Sequence, residues 1–281
     1  MLPRTILILM LFAVAGPAIA ATSAAPIQPG ETEAWVKVDV PFVPTPPPVI
    51  DAMLKVAAVG PGDVLYDLGS GDGRTPIVAA RDFGVKKAIG IELNPNRIKD
   101  ANVAAQTTGV TDRVTFIEGD IFKVDFSDAT VVTMYLFDQV NLRLRPRILN
   151  ELKAGTRIVS HQFHMFDWPP DDKVMVQGKV PVYFWVVPAK VAGTWKGTVG
   201  LESLSLDLTQ KFQMVSGAVR LGAMKATIST AKLTGAALTF DATVKHDGAD
   251  EPLHFEGQLT ADALTGALVI GGAAKTITLQ R

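Results

Sequence analysis

The spacing of apolar positions changes character near residue 190, and the change divides the chain into two kinds of structure. Upstream, short β-rich runs at 64–68, 88–93, 114–117, 130–136 and 156–160 alternate with segments of helical spacing near 75–83, 95–108 and 140–152. Apolar strands interleaved with helices predict a parallel sheet covered on both faces. Val49, Ile50, Met53, Leu54 and Ala57 recur at helical intervals ahead of Gly60-Pro61-Gly62, so a further amphipathic helix is expected to precede the first strand. The prolines at 41, 44 and 46–48 predict that 40–48 is extended, because each fixes its own φ and pushes its predecessor out of the helical region. Two late runs, 173–177 and 180–187, are separated only by Gly178-Lys179, too short a link for a crossover helix, so the sheet is expected to finish in an antiparallel hairpin.

Downstream of about 191, helical periodicity stops and strict alternation takes over, as in 204–209 and 238–244. Ser216-Gly217, Thr234-Gly235 and Thr265-Gly266 look like hairpin corners of a meander or partly closed barrel, an arrangement that removes exposed strand edges. The expected fold is therefore α/β: a Rossmann-like doubly wound seven-stranded sheet with a terminal antiparallel hairpin over 41–188, followed by a small all-β meander or barrel-like domain over 191–281. Ahead of both, Arg4, the apolar run 6–15 and the small residues Ala18 and Ala20 have the layout of a secretory signal peptide spanning 1–20. Residues 21–40 then read as a flexible N-terminus. The run is shorter than the about 20 apolar residues a membrane span needs. Export to the periplasm is thus the expectation, with an uncleaved inner-membrane anchor as the alternative and no transmembrane span in the mature chain.

Composition narrows the function classes. With 48% hydrophobic residues in 281, the chain can bury one large core or two modest ones. A formal net charge of -1 supplies no basic field for a phosphate backbone, which argues against nucleic acid as a partner. The 0 cysteines exclude disulfides, thiolate nucleophiles and cysteine-ligated metals.

Candidate chemistry gathers where the first strand ends. In Asp67-Leu68-Gly69-Ser70-Gly71-Asp72-Gly73-Arg74, glycines at alternate positions permit a tight turn and close approach of a ligand to the backbone, ahead of the free N–H groups of a helix. Arg74 stands where a pyrophosphate-binding G-x-G-x-x-G would need glycine or alanine, so a dinucleotide is the weaker fit. Asp67 at the strand tip would repel a diphosphate and suits a cationic ligand instead. Glu92 ends the second strand at about the 20-residue offset where a carboxylate meets ribose hydroxyls. Asp120 and Ile121 follow the third strand, where one can accept from an adenine amino group and the other can pack on its ring.

Residues 67–73 resemble motif I of class I S-adenosylmethionine-dependent methyltransferases, and Glu92 and Asp120 fall where that superfamily holds ribose and adenine. Pro41-Phe42-Val43-Pro44-Thr45-Pro46 and Phe163-His164-Met165-Phe166-Asp167-Trp168-Pro169-Pro170 add a narrower similarity, to the lysine methyltransferases acting on the ATP synthase c subunit and adenine nucleotide translocase. The resemblance spans about 41–170. It implies S-adenosyl-L-methionine as cofactor, held by Asp67, Gly69, Ser70, Gly71, Gly73, Glu92, Asp120 and Ile121, and a protein lysine as methyl acceptor.

Thr45, Tyr135 and Phe137 are the candidates to shape the acceptor pocket, since methyl transfer needs alignment and exclusion of water more than a dedicated base. The fourth strand runs into Tyr135-Leu136-Phe137-Asp138, unlike the Asn-Pro-Pro-Tyr type found in methyltransferases of DNA bases or glutamine. His161 and His164 lie close together, but no second ligand set accompanies them, and hydrogen bonding rather than a metal is expected. The alternative function is an exported, non-catalytic binding module that uses the nucleoside-type pocket or the β domain.

Overall fold

The computed structural model describes residues 41–246 and 248–281, with the side chain of His246 left out, so the signal-peptide and flexible N-terminal readings of 1–40 lie outside the described residues. Helix α1 (Pro47–Val56) leads into β1 (Val64–Leu68), α2 (Arg74–Asp82), β2 (Lys87–Glu92), α3 (Pro95–Thr108), β3 (Val114–Glu118), β4 (Val131–Met134), α4 (Asp138–Glu151) and β5 (Arg157–His161). The hairpin β6 (Asp172–Val176) and β7 (Val180–Val186) completes this half. Prolines 47 and 48 are helical, not extended as expected. The first turn of a helix tolerates them, because N–H groups there have no intrahelical partner to lose.

The seven strands are ordered β3-β2-β1-β4-β5-β7-β6, with β7 antiparallel to β5 and to β6. Chain order reverses between β1 and β4, which opens a crevice beyond the carboxyl ends of the central strands. Successive β1 side chains serve opposite faces: Leu65 packs with Ile50, Leu54 and Ile77, and Tyr66 and Leu68 with Met134 and Ile148. No helix separates β3 from β4, so 119–130 crosses in turns.

The remaining strands, β8 (Gly193–Val199), β9 (Glu202–Lys211), β10 (Met214–Leu221), β11 (Met224–Thr234), β12 (Ala237–His246), β13 (Ala249–Thr260), β14 (Ala263–Ile270) and β15 (Ala273–Gln280), run up and down. Pairing of β15 with β8 closes them into a barrel filled by Trp195, Phe240, Phe255 and aliphatic side chains. Two expected corners are not corners. Gly217 and Gly266 lie within β10 and β14, where a β-carbon would collide with the backbone of the neighbouring strand at Asp207 and Glu256. These glycines permit close strand approach in a tightly bent sheet. Among the described residues no helix is long and apolar enough to cross a membrane.

Candidate functional site

Two buried aspartates mark the two ends of β1 and differ in what they meet. Asp63, at the amino end, takes hydrogen bonds from the guanidinium of Arg157 and from Thr130 Oγ1. At the carboxyl end, the partner of Asp67 among the described residues is a neutral hydroxyl, Thr133 Oγ1 at 2.7 Å on β4. Burial pushes the Asp67 carboxyl up to about 7; the Thr133 bond opposes the shift, and the charges of Glu92 and Asp72 add to it. A buried carboxylate with no cation beside it is a standing demand for positive charge.

The following loop is set by left-handed backbone at Gly69, Gly71 and Gly73. Gly69 and Ser70 both donate to the carbonyl of Ile91, and Gly73 donates to Ser70 O, which folds the loop back over β2. The Ser70 hydroxyl is buried over Gly90 and Phe116 without a hydrogen-bond partner, so Ser70 turns inward and its backbone groups serve the loop itself. A side chain at Gly71 would strike the Phe42 ring, which carries the Arg97 guanidinium 3.9 Å above it.

Glu92 organises its surroundings before any ligand arrives. One oxygen accepts from Gly71 N at 2.9 Å, the other from Leu93 N and Asn94 N at 2.9 Å each. A carboxylate has about four lone-pair positions, so it retains capacity for a further donor. Asp120 lies alongside, because Gly119 N donates to Glu92 O. Its Oδ1 accepts from Phe122 N at 2.9 Å and its Oδ2 lies 3.3 Å from Lys123 Nζ, while the carbonyl of the adjoining Ile121 accepts from Arg147. The loop, Glu92 and Asp120 thus line the carboxyl edge of neighbouring strands in the order β1, β2, β3.

On the other side of β1, Thr45 and Tyr135 are joined through a residue whose part sequence reasoning missed. Thr45 Oγ1 shares a 3.2 Å hydrogen bond with His161 Nδ1, and the His161 ring stacks on Tyr135 with centroids 3.7 Å apart. Phe163 faces Tyr135 at 5.9 Å and meets Phe137 edge-on at 5.3 Å. Burial lowers the His161 pKa to about 4, which leaves the imidazole neutral at physiological pH. Tyr135 Oη donates to Gln162 Oε1 at 3.4 Å. Arg74 couples this cluster to the loop: it grips Asp72 through Nε and Nη2 and donates from Nη1 to the Thr45 carbonyl at 3.2 Å. Only the adjacency of β4 and β5 brings His161 to Tyr135, and that pairing carries no local sequence signal.

Residues 67–172 match the model of the ANTKMT methyltransferase domain family. A protein-lysine N-methyltransferase of Saccharolobus islandicus (strain REY15A) is 48% identical over 151 residues, covering 53% of this chain and 94% of that protein. The adenine nucleotide translocase lysine N-methyltransferase of Mus musculus is 30% identical over 175 residues, covering 62% of this chain and 74% of that protein. Among solved structures, an RNA methyltransferase from Salinibacter ruber in complex with S-adenosyl-L-homocysteine aligns with a TM-score of 0.52 and 50% identity, covering 53% of this chain and 96% of that one.

Proposed function

This chain belongs to the ANTKMT methyltransferase-domain family and is an S-adenosylmethionine-dependent methyltransferase, and we propose that the acceptor is the side-chain amine of a protein lysine. The residues around the glycine loop suit the cofactor. Asp67 offers buried negative charge to its cationic groups, Glu92 keeps a lone pair for a ribose hydroxyl, and Asp120 stands next along the edge for the adenine amino group. When bound, S-adenosylmethionine supplies a methyl group already activated by positively charged sulfur.

What this chain must add is an aligned, dry pocket that admits an amine. The observation that carries the lysine reading is the cluster of Tyr135, His161, Phe163 and Phe137 around a neutral imidazole. Aromatic faces attract an ammonium group by about 0.5–2 kcal/mol. An uncharged His161 does not repel it. Desolvation then favours the amine's neutral form, whose lone pair is the nucleophile, with the proton left to water before the pocket closes. Tyr135 Oη donates to Gln162, so its own lone pairs are free to accept an N–H and orient the amine. Thr45, tied to both His161 and Arg74, links the acceptor side to the glycine loop.

The names of relatives also include an RNA acceptor, and aromatic faces can stack bases, but a net charge of -1 gives no general pull on a phosphate backbone. The deciding experiment incubates the full chain and isotopically labelled S-adenosylmethionine with poly-L-lysine or with an RNA oligonucleotide mixture. Label recovered as methyl-lysine, and lost in Tyr135→Phe, supports the proposal. Label in RNA alone overturns it.

A further inference from the structure

Among the corners of the barrel, the one between β9 and β10 stands apart. Other corners place Gly200, Gly222, Gly235, Gly248 and Gly271, or the small Ala261, at positive φ. Between Lys211 and Met214, the residue at φ 56 is Phe212. A bulky side chain there is strained, and a strained residue persists only when its surroundings repay it. Its carbonyl is held from within the barrel by Gln210 Nε2 at 2.7 Å, but its ring packs outside the barrel. The Phe212 ring stacks on Trp168 at 5.8 Å with an interplanar angle of 20°, and Trp168 is completely buried.

The neighbours of Phe212 grip the same segment. Gln213 accepts from Trp168 Nε1 at 2.9 Å and donates to the Pro169 carbonyl at 2.7 Å. Lys211 Nζ lies 3.2 Å from Asp167, whose other oxygen takes a 2.6 Å hydrogen bond from Arg145. Three consecutive barrel residues therefore hold three consecutive residues of the segment following β5. That segment, from Gln162 to Pro170, is irregular, with left-handed backbone at Gln162 and Phe166. Its near end carries Phe163, which packs on Tyr135 and Phe137. From the sheet side it is held by Asn141, which donates to the carbonyls of Phe163 and His164, and by Asp138, which accepts from His164 N.

We infer that the β9–β10 corner is a brace for the acceptor-side loop, which makes Phe212 and Gln213 positioning residues for methyl transfer although they belong to the barrel. The inference rests on the acceptor pocket proposed above. A loop that sets an aromatic wall needs fixed geometry, since a displacement of about 1 Å at a distance from the chemistry can cost up to about 100-fold in rate. The brace acts on the acceptor side and leaves the glycine loop, Glu92 and Asp120 untouched.

The test uses full-length Phe212→Asn, which suits the left-handed corner while removing the ring, with Phe212→Tyr as the conservative variant. Arg281→Ala serves as control; that guanidinium bonds the Lys190 carbonyl and lies over Trp195, away from the loop. Three measurements are made: amide hydrogen exchange across 162–168, affinity for S-adenosylmethionine, and steady-state kinetics (KM and kcat) with poly-L-lysine. In Phe212→Asn, exchange is expected to rise severalfold and kcat/KM to fall by about 10- to 100-fold, carried mainly by KM, with cofactor affinity unchanged. Phe212→Tyr should restore both and Arg281→Ala should alter neither. Unchanged exchange in Phe212→Asn, or the same losses in Arg281→Ala, would overturn the brace. If the wild-type chain leaves poly-L-lysine unmethylated, the acceptor proposal is what has failed, and the exchange comparison still decides the brace.

Discussion

The seven-stranded sheet and the barrel bury side chains of different kinds. Among the described residues every buried polar or charged side chain, from Thr45 through Asp67, Thr133 and Asn141 to His161, lies in the sheet half, and the hydrophobic core of the barrel is apolar. Buried polar groups cost free energy unless they are paired, and most of these are: Thr45 with His161, Asp67 with Thr133, Ser160 with Asn141 and Asp63 with Arg157, leaving Ser70 Oγ and Asn141 Oδ1 without a partner among the described residues. Thr133 and Asp67 sit beneath the crevice, and Ser160 and Asn141 lie beside the aromatic cluster that His161 joins. The strained corner of the barrel at Phe212 turns its ring back onto Trp168 in the sheet half.

The sharpest way to break this division is to injure each core and ask what fails. Phe255→Ala removes a fully buried ring that stacks on Phe240 at 5.1 Å, and should destabilise by about 3–5 kcal/mol in denaturant unfolding. Below its unfolding transition the variant should keep wild-type affinity for S-adenosylmethionine; lost affinity would mean the two cores are not independent. Asp67→Ala should do the reverse, lowering cofactor affinity by about 1.5–3 kcal/mol in calorimetry with no loss of stability in the free protein.

A pH series is subtler. Because folding raises the Asp67 pKa to about 7, the folded chain holds a proton between the ordinary carboxylate range and pH 7 that the unfolded chain has released. This group therefore favours the folded state at low pH, and that contribution is lost as pH rises toward 7. Cation binding needs the ionised form and runs the other way: cofactor affinity should fall by about tenfold from pH 8 to pH 6, after allowance for the ligand's own amino group. Asp67→Asn should flatten the profile. The smallest effect belongs to Thr133→Val, which takes away the hydrogen bond that favours ionised Asp67 and should weaken cofactor binding at pH 7 only severalfold.

The parallel strands were legible because strands buried on both faces read as short apolar runs, and Asp67 and Glu92 because they stand at the ends of such runs. Other features depend on partners remote in sequence. Pro47 and Pro48 read as extended until the helix behind them is seen to begin at its first turn. Gly217 and Gly266 read as turns because their real constraint, a backbone on the adjacent strand, is invisible locally. Ser70 belongs to the loop motif, yet its hydroxyl is buried away from the crevice. His161 reads as one histidine of a nearby pair; its stacking on Tyr135 follows from strand order. Phe212 resembles any aromatic in a β-rich stretch until its φ and its contact with Trp168 are known together.

The most direct test is calorimetric titration of the folded full-length chain and its Asp67→Asn and Glu92→Ala variants with S-adenosylmethionine. Saturable binding by the wild type, weakened in both variants while both remain cooperatively folded at the temperature of the titration, is the expected result. Equal affinity in all three, or no binding to a demonstrably folded wild type, would contradict the placement of the cofactor at the β1–β2 edge.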